Sequence, residues 1–121
     1  MLIEWQVTRV WALEPHGDTL SSESNWLDVL ADAMGQQADW VAVPASRLGQ
    51  NFLTLRSGLA GNIIQKFVNY RMGIAIVGDI ETALAQSRAL CDFVREANSG
   101  TTCWFVADMT ALKARVIASC E

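Results

Sequence analysis

Apolar residues recur along the chain at the two spacings that mark strands and helices. Over residues 3–13 every second position is apolar, with one break at Arg9, which predicts one or two half-buried strands. Short apolar runs at 40–43, 74–77 and 102–106 predict three more strands. The run 74–77 has the uninterrupted apolar character of a parallel strand that is covered on both faces.

Between these strands the apolar spacing is close to 3.6 residues, which predicts helices. Four are expected: one capped by Ser22 or Ser24 and stopped by Gly35, then 57–71, 81–98 and 109–119. In the first of them the expected apolar face is Trp26, Leu27, Leu30, Ala31 and Met34. Residues 47–55 are expected to be irregular or to form a short strand.

The alternation of strands and helices predicts the fold class. It is typical of an α/β protein with a single layer of about four to five mostly parallel strands, mixed at the amino-terminal edge, and four helices. A chain of 121 residues suits one domain, which we expect to span 1–121.

Composition and charge narrow the function classes. With 51% apolar and 18% charged residues the chain is typical of a globular protein. It contains no apolar run as long as the ~20 residues that a membrane-spanning helix needs, and its amino terminus does not resemble a signal peptide. We therefore expect a cytoplasmic protein without a membrane partner. A net charge of −4 with nine scattered basic residues argues against a nucleic-acid partner. Cys91, Cys103 and Cys120 show no zinc-site spacing, so we expect reduced thiols and neither a metal nor a cofactor.

Polar residues follow the predicted parallel strands at one edge of the sheet. Arg47, Asp79 and Asp108 come after three successive strands, and the carboxyl edge of a parallel sheet is where such folds bind ligands. The two aspartates would suit a magnesium ion or acid–base chemistry. Each also stands just before a helix, where an aspartate is a favoured cap, so capping alone is the competing explanation.

The start of the second helix has the pattern of an anion site. Arg56, Ser57 and Gly58 place a cation, a hydroxyl and a glycine where free amide groups and the helix dipole favour negative charge. The plain alternative is that Ser57 only caps the helix.

Two surfaces are candidates for protein contacts. Gln65, Lys66, Asn69 and Tyr70 form a polar run late in the second helix, which is either a partner surface or simply a solvated face. Trp5 and Trp11 lie on the amino-terminal strands, and large aromatic residues are enriched at interface hot spots, so they could join two copies in a homo-oligomer. Core burial is the alternative for both rings.

A long central motif resembles an uncharacterised bacterial family, the domain of unknown function DUF4180. The similarity is carried by Phe52-x-x-Leu-Arg-Ser-Gly-Leu-Ala-Gly61, by the segments 65–71 and 75–79, and by the later segments 87–100 and 105–108. The resemblance implies no established activity.

Ser57-Gly-Leu59 followed by a helix and an apolar strand is also similar to STAS domains, the anti-sigma-factor antagonists. That resemblance implies a STAS-like topology and a hydroxyl whose phosphorylation switches partner binding, although Leu55 and Arg56 stand where STAS domains have an aspartate. The leading hypothesis is therefore a regulatory module that binds a protein partner and is switched at Ser57. The alternative is a small enzyme or ligand sensor with a pocket at the carboxyl edge of the sheet.

Overall fold

The structure is a computed structural model, and it describes residues 1–119. Cys120 lies outside the described residues. The strands are β1 Leu2–Trp5, β2 Thr8–Ala12, β3 Trp40–Pro44, β4 Gly73–Val77 and β5 Cys103–Val106. The helices are α1 Glu23–Gly35, α2 Gln50–Leu53, α3 Leu59–Asn69, α4 Glu81–Gln86, α5 Arg88–Ser99 and α6 Met109–Ser119. One-turn 3-10 helices lie at Ala45–Arg47 and Leu55–Ser57.

The five strands form one sheet in the order β1-β2-β3-β4-β5. β1 pairs antiparallel with β2, and each later strand pairs parallel with the one before it. The first two strands meet in a tight turn at Gln6 and Val7, where Gln6 has a φ of 56°. Arg9, the break in the alternating pattern, lies within β2 and pairs with Glu4 across the hairpin at 2.7 Å. The mostly parallel sheet with a mixed amino-terminal edge confirms the predicted fold class.

Six helices are present among the described residues where four were predicted. The prediction of a single helix over 81–98 is wrong. The segment forms two helices, α4 and α5, which are separated at Ser87, whose backbone is extended at φ −146° and ψ 110°. The Ser87 hydroxyl accepts the Leu90 amide at 3.1 Å and so caps a new helix. Residues 47–55 contain helical turns and the short α2, so the alternative of a short strand there is wrong.

One face of the sheet is covered by α1, α3 and α5. The largest buried rings on this side are Trp26, which is stacked on Phe52 at 4.8 Å between centroids, and Phe67, which meets Trp26 edge-on. The predicted inner face of α1 is partly wrong, because Leu27, Ala31 and Met34 are exposed. Trp26 is fully buried, and the other buried positions of α1 are Val29, Leu30 and Ala33.

The opposite face is covered by α6. Leu112 and Val116 of this helix pack on the small side chains of Ala42 and Ala75 in the middle of the sheet. Towards the amino ends of the strands, Trp40 and Trp104 stack at 4.1 Å and the guanidinium of Arg115 on α6 lies 4.2 Å from the centre of the Trp104 ring. The first residue of α6 is Met109, beyond the carboxyl end of β5, and the apolar surface around it is only partly filled.

Candidate carboxyl-edge site

Two aspartates follow β4 and β5 at the carboxyl edge, and both shape the loops in which they lie. Asp79 accepts the Glu81 amide at 2.8 Å through Oδ1, and Asp108 accepts the Ala111 amide at 2.8 Å through its own Oδ1. Asp108 therefore caps α6 as predicted. Both side chains are exposed, and both line the same cavity.

Gly78 lets the loop after β4 approach the neighbouring loop after β3. Its φ is +134°, a conformation that residues with a side chain rarely adopt. A Cβ at this position would also lie 3.0 Å from the Cβ of Ala45. A glycine is thus required between the buried strand and Asp79, and it lines the cavity.

The cavity has a volume of about 690 Å³ and a predominantly apolar wall. Its apolar side chains come mainly from the hairpin, the carboxyl ends of β3 and β4, and the start of α6; they include Ile3, Ala12, Ala42, Pro44, Val77 and Met109. The carboxylates among its lining residues belong to Glu14, Asp79 and Asp108. None of the described residues that line it is Lys, Arg or His.

Arg47, predicted as a pocket residue, lies behind the loop that forms one wall. Its Nε donates to the Asp18 carbonyl at 2.7 Å and its Nη1 donates to the Glu14 carbonyl at 3.0 Å. Ser46 adds a third tie, from its hydroxyl to the Pro15 carbonyl at 2.9 Å. The structure therefore brings Asp79 and Asp108 together at one cavity and uses Arg47 to hold the wall. Glu14 was not among the predicted residues, because nothing local in the sequence indicates that its loop folds over the sheet edge.

The predicted switch residues lie at the entry to α3. Gly58, with a φ of 78°, is the residue before the helix, so the helix begins at Leu59 and not at Ser57. Ser57 is exposed; its hydroxyl donates to the Asn51 carbonyl at 2.6 Å and accepts the Leu59 amide at 3.2 Å. The hydroxyl is thus at the surface, but it is held by two backbone groups.

Ser57 and Arg56 line different clefts. Ser57 lies in a cleft of about 460 Å³ that also contains the start of α1, including Glu23. Arg56 lies in a cleft of about 790 Å³ with Thr82 and, at its border with the carboxyl-edge cavity, Asp79. The structure does not combine the Arg56 cation and the Ser57 hydroxyl in one anion site.

The predicted partner surface is partly engaged in contacts within the chain. Gln65 donates to Asn69 at 2.9 Å one helical turn later, and Lys66 forms an ion pair with Glu23 of α1 at 3.3 Å. Tyr70 remains 58% exposed beyond the end of α3.

The two amino-terminal tryptophans are half-buried against the core. Trp5 packs with the residues under α6, whereas Trp11 packs on the side of α1 and α3. β1 forms one edge of the sheet.

Two of the three cysteines lie among the described residues. Cys103 is buried in β5, and burial raises the pKa of its thiol to about 12, while Cys91 is half-buried.

Over residues 1–119 no three His, Cys, Asp or Glu side chains gather as a metal site would require, and no helix has the length and apolar character needed to cross a bilayer.

Comparison with curated proteins and with solved structures gave no match, so the STAS likeness stays a prediction. A family model does match, over residues 6–116, which include β2, the loops around the cavity and most of α6. Its description is "Domain of unknown function (DUF4180)". Since the match covers most of the 121 residues, the chain belongs to the DUF4180 family.

Proposed function

We propose that the protein binds a small molecule in the carboxyl-edge cavity and acts as a ligand sensor or a small enzyme. The observation that carries this proposal is an apolar cavity of about 690 Å³ with carboxylates among its lining residues. Ligand sites are typically concave, mostly apolar and about 300–1,000 Å³ in volume, with a few polar groups that orient the ligand. Its position beyond the carboxyl ends of parallel strands is where ligands bind in open α/β sheets.

The hydrogen bonds that hold the loops around the cavity indicate that the proposed ligand site is preformed. The loop over 14–18 is held from below by Arg47 and Ser46 through three hydrogen bonds of 2.7–3.0 Å. On the other side, Asp79 and Asp108 are fixed by the backbone amides that they accept. A site whose polar groups are already ordered loses less conformational entropy when a ligand binds.

A thermal-shift screen tests the proposal. The panel consists of compounds with an apolar body and a neutral, cationic or anionic group, together with nucleotides and metal ions. A ligand at a hundred times its Kd adds about 2.7 kcal/mol to the free energy of unfolding, which raises the melting temperature by several degrees.

A filled cavity is the matched control for any hit. Ala12→Phe places a large ring in the wall of the cavity, whereas Ala114→Phe adds the same ring on the exposed side of α6. Shifts that vanish in Ala12→Phe and persist in Ala114→Phe support the proposal. A panel without any shift, or shifts that Ala12→Phe leaves intact, would reject it.

A second candidate is a regulatory protein interaction switched at Ser57. The supporting observation is that this hydroxyl is exposed at the entry to α3, next to the start of α1. A phosphate there would add about 1.5 to 2 negative charges beside Glu23 and displace the hydrogen bond to the Asn51 carbonyl. Intact-mass analysis of protein from its native host tests this idea: an unmodified mass in all growth states would remove the switch.

A further inference from the structure

We infer that the ligand of the carboxyl-edge cavity carries a protonated amine on an apolar body. This inference rests on the proposed function and names the chemical class that the cavity would accept. Two observations support it: the wall of the cavity is apolar, and the residues that line it carry more negative than positive charge.

The carboxylates retain capacity for a ligand. Asp79 and Asp108 each use Oδ1 to accept a backbone amide, and no described residue donates to the second oxygen of either group. The Glu14 carboxylate likewise accepts no hydrogen bond from the described residues. A carboxylate has about four acceptor positions, so each of these groups can accept an N–H bond from an ammonium group without giving up its structural role.

The cations nearby are already committed to backbone carbonyl groups. The Arg47 guanidinium bonds the carbonyls of Asp18 and Glu14 from behind the wall and does not line the cavity. The Met1 amino group, which belongs to a lining residue, donates to the Ala12 carbonyl at 2.8 Å and keeps its positive charge. None of the described lining side chains is basic, so this one ammonium is set against three carboxylates, and the net negative charge disfavours an anionic ligand.

The apolar side chains of the wall determine which body the ligand carries besides its amine. Ile3, Val77 and Met109 present apolar surface between the hairpin, β4 and α6. Burying an alkyl or aryl group there gains about 25 cal/mol per Å² of apolar surface. An anionic or strongly polar body would lose its hydration against this wall without gaining hydrogen bonds.

Calorimetric titration with three probes of equal length tests the inference. The probes are octylammonium, octanol and octanoate, which have eight carbon atoms each and carry a cationic, a neutral and an anionic head group. The expected order of affinity is octylammonium first, by about tenfold or more over octanol, and octanoate last. Added salt should reduce the advantage of octylammonium.

Charge-neutral variants identify the groups responsible. Asp79→Asn with Asp108→Asn removes both charges but retains a side-chain oxygen that can accept the same backbone amide at each position, so the fold is maintained. In that double variant octylammonium should lose its advantage while the affinity for octanol is unchanged. Asp28→Asn, an exposed residue of α1 outside the cavity, is the matched control and should behave like the parent protein.

The outcomes separate this inference from the proposed function. Equal affinity for octanol and octylammonium, both abolished by Ala12→Phe, would leave the cavity as a ligand site and overturn the inferred charge. Tighter binding of octanoate, or an ammonium preference that survives the double variant combined with Glu14→Gln, would overturn it as well. If none of the three probes binds but other hits of the screen do and depend on Ala12, the class is wrong and the site stands; with no hits at all, both fail.

Discussion

Gly73→Ala should destabilise the protein, because a tryptophan ring lies across this glycine. A Cβ at Gly73 would lie 2.4–2.6 Å from three atoms of the Trp40 indole ring, well inside van der Waals contact. The ring is held from the other side by its stack on Trp104 at 4.1 Å, and Trp104 is in turn covered by Arg115 of α6. The ring therefore cannot move away from a new methyl group without disturbing the contact that holds α6 on the sheet.

Three terms set the size of the effect. Overpacking costs about 1–3 kcal/mol, and a disturbed aromatic pair adds a cost of about 0.5–1.5 kcal/mol. Against them, an alanine in place of glycine gains about 0.4–1 kcal/mol by restricting the unfolded chain. The expected net loss in the free energy of unfolding is about 1–3 kcal/mol.

Urea denaturation followed by circular dichroism measures this loss without relying on the fluorescence of the disturbed tryptophans. Gly61→Ala is the matched control, since a Cβ at this exposed position of α3 meets no atom within 4 Å and should stabilise the helix by about 0.5–1 kcal/mol. In a Trp40→Leu background the penalty of Gly73→Ala should disappear. A neutral or stabilising Gly73→Ala in the parent protein, or an equal penalty in both backgrounds, would refute the reasoning.

Three further changes have a definite expected sign. Asn98→Ala removes the side-chain oxygen that accepts the Phe105 amide at 2.7 Å on the outer edge of β5, and urea denaturation should show a loss of about 1–3 kcal/mol in the free energy of unfolding. Light scattering should detect self-association through the unprotected edge, whereas Asn98→Asp retains an acceptor and should not self-associate. Ser87→Ala removes the cap on the Leu90 amide and should cost about 1 kcal/mol in the same assay, with Ser87→Asp as the variant that restores it. Burial raises the pKa of the Cys103 thiol from 9.0 to about 12, so its stabilising contribution is complete below pH 9 and is lost as the pH rises from 9 towards 12. Urea denaturation at pH 8 and at pH 10.5 should therefore give a smaller alkaline loss for Cys103→Ala than for the parent protein, and an equal loss would contradict this account.

The parts of the fold that the sequence predicted correctly are those with local causes. The run 74–77 lies in β4, where Ile74, Ala75 and Ile76 are buried on the two sides of the sheet and Val77 is half-buried. Asp108 caps α6 because a carboxylate before a helix meets free amide groups whatever the rest of the chain does. The break at Ser87 was missed because the apolar spacing continues from α4 into α5, and a serine hydroxyl that caps a helix leaves no trace in that spacing.

A pocket at the carboxyl edge is expected from the order of the strands and aspartates, but its walls could not be predicted, because they come from parts of the chain far apart in sequence. Residues 14–18 form a wall only because Arg47, some thirty positions later, donates to their carbonyl groups. Its other boundary depends on α6, which packs under Trp104 through Arg115 and begins beyond the sheet edge. Apolar spacing says which residues avoid water, but it does not say how much of a sheet face one helix of eleven residues will cover.

The geometry of Asp79 and Asp108 also changes how a helix cap should be weighed against a ligand site. The sequence analysis treats the two roles as alternatives, since a cap explains an aspartate before a helix without any ligand. In the structure Asp108 caps α6 through Oδ1, whereas Asp79 lies one residue before Ile80, the N-cap of α4, and accepts the Glu81 amide through Oδ1. The second oxygen of each carboxylate accepts no hydrogen bond from the described residues at a cavity between the sheet and α6. Capping fixes the side-chain torsions before any ligand arrives, so it lowers the entropic cost of binding at the free oxygen. The variants that separate the roles are therefore those that retain the cap, because Asp→Asn changes the charge at the cavity while Asp→Ala would also loosen the helix.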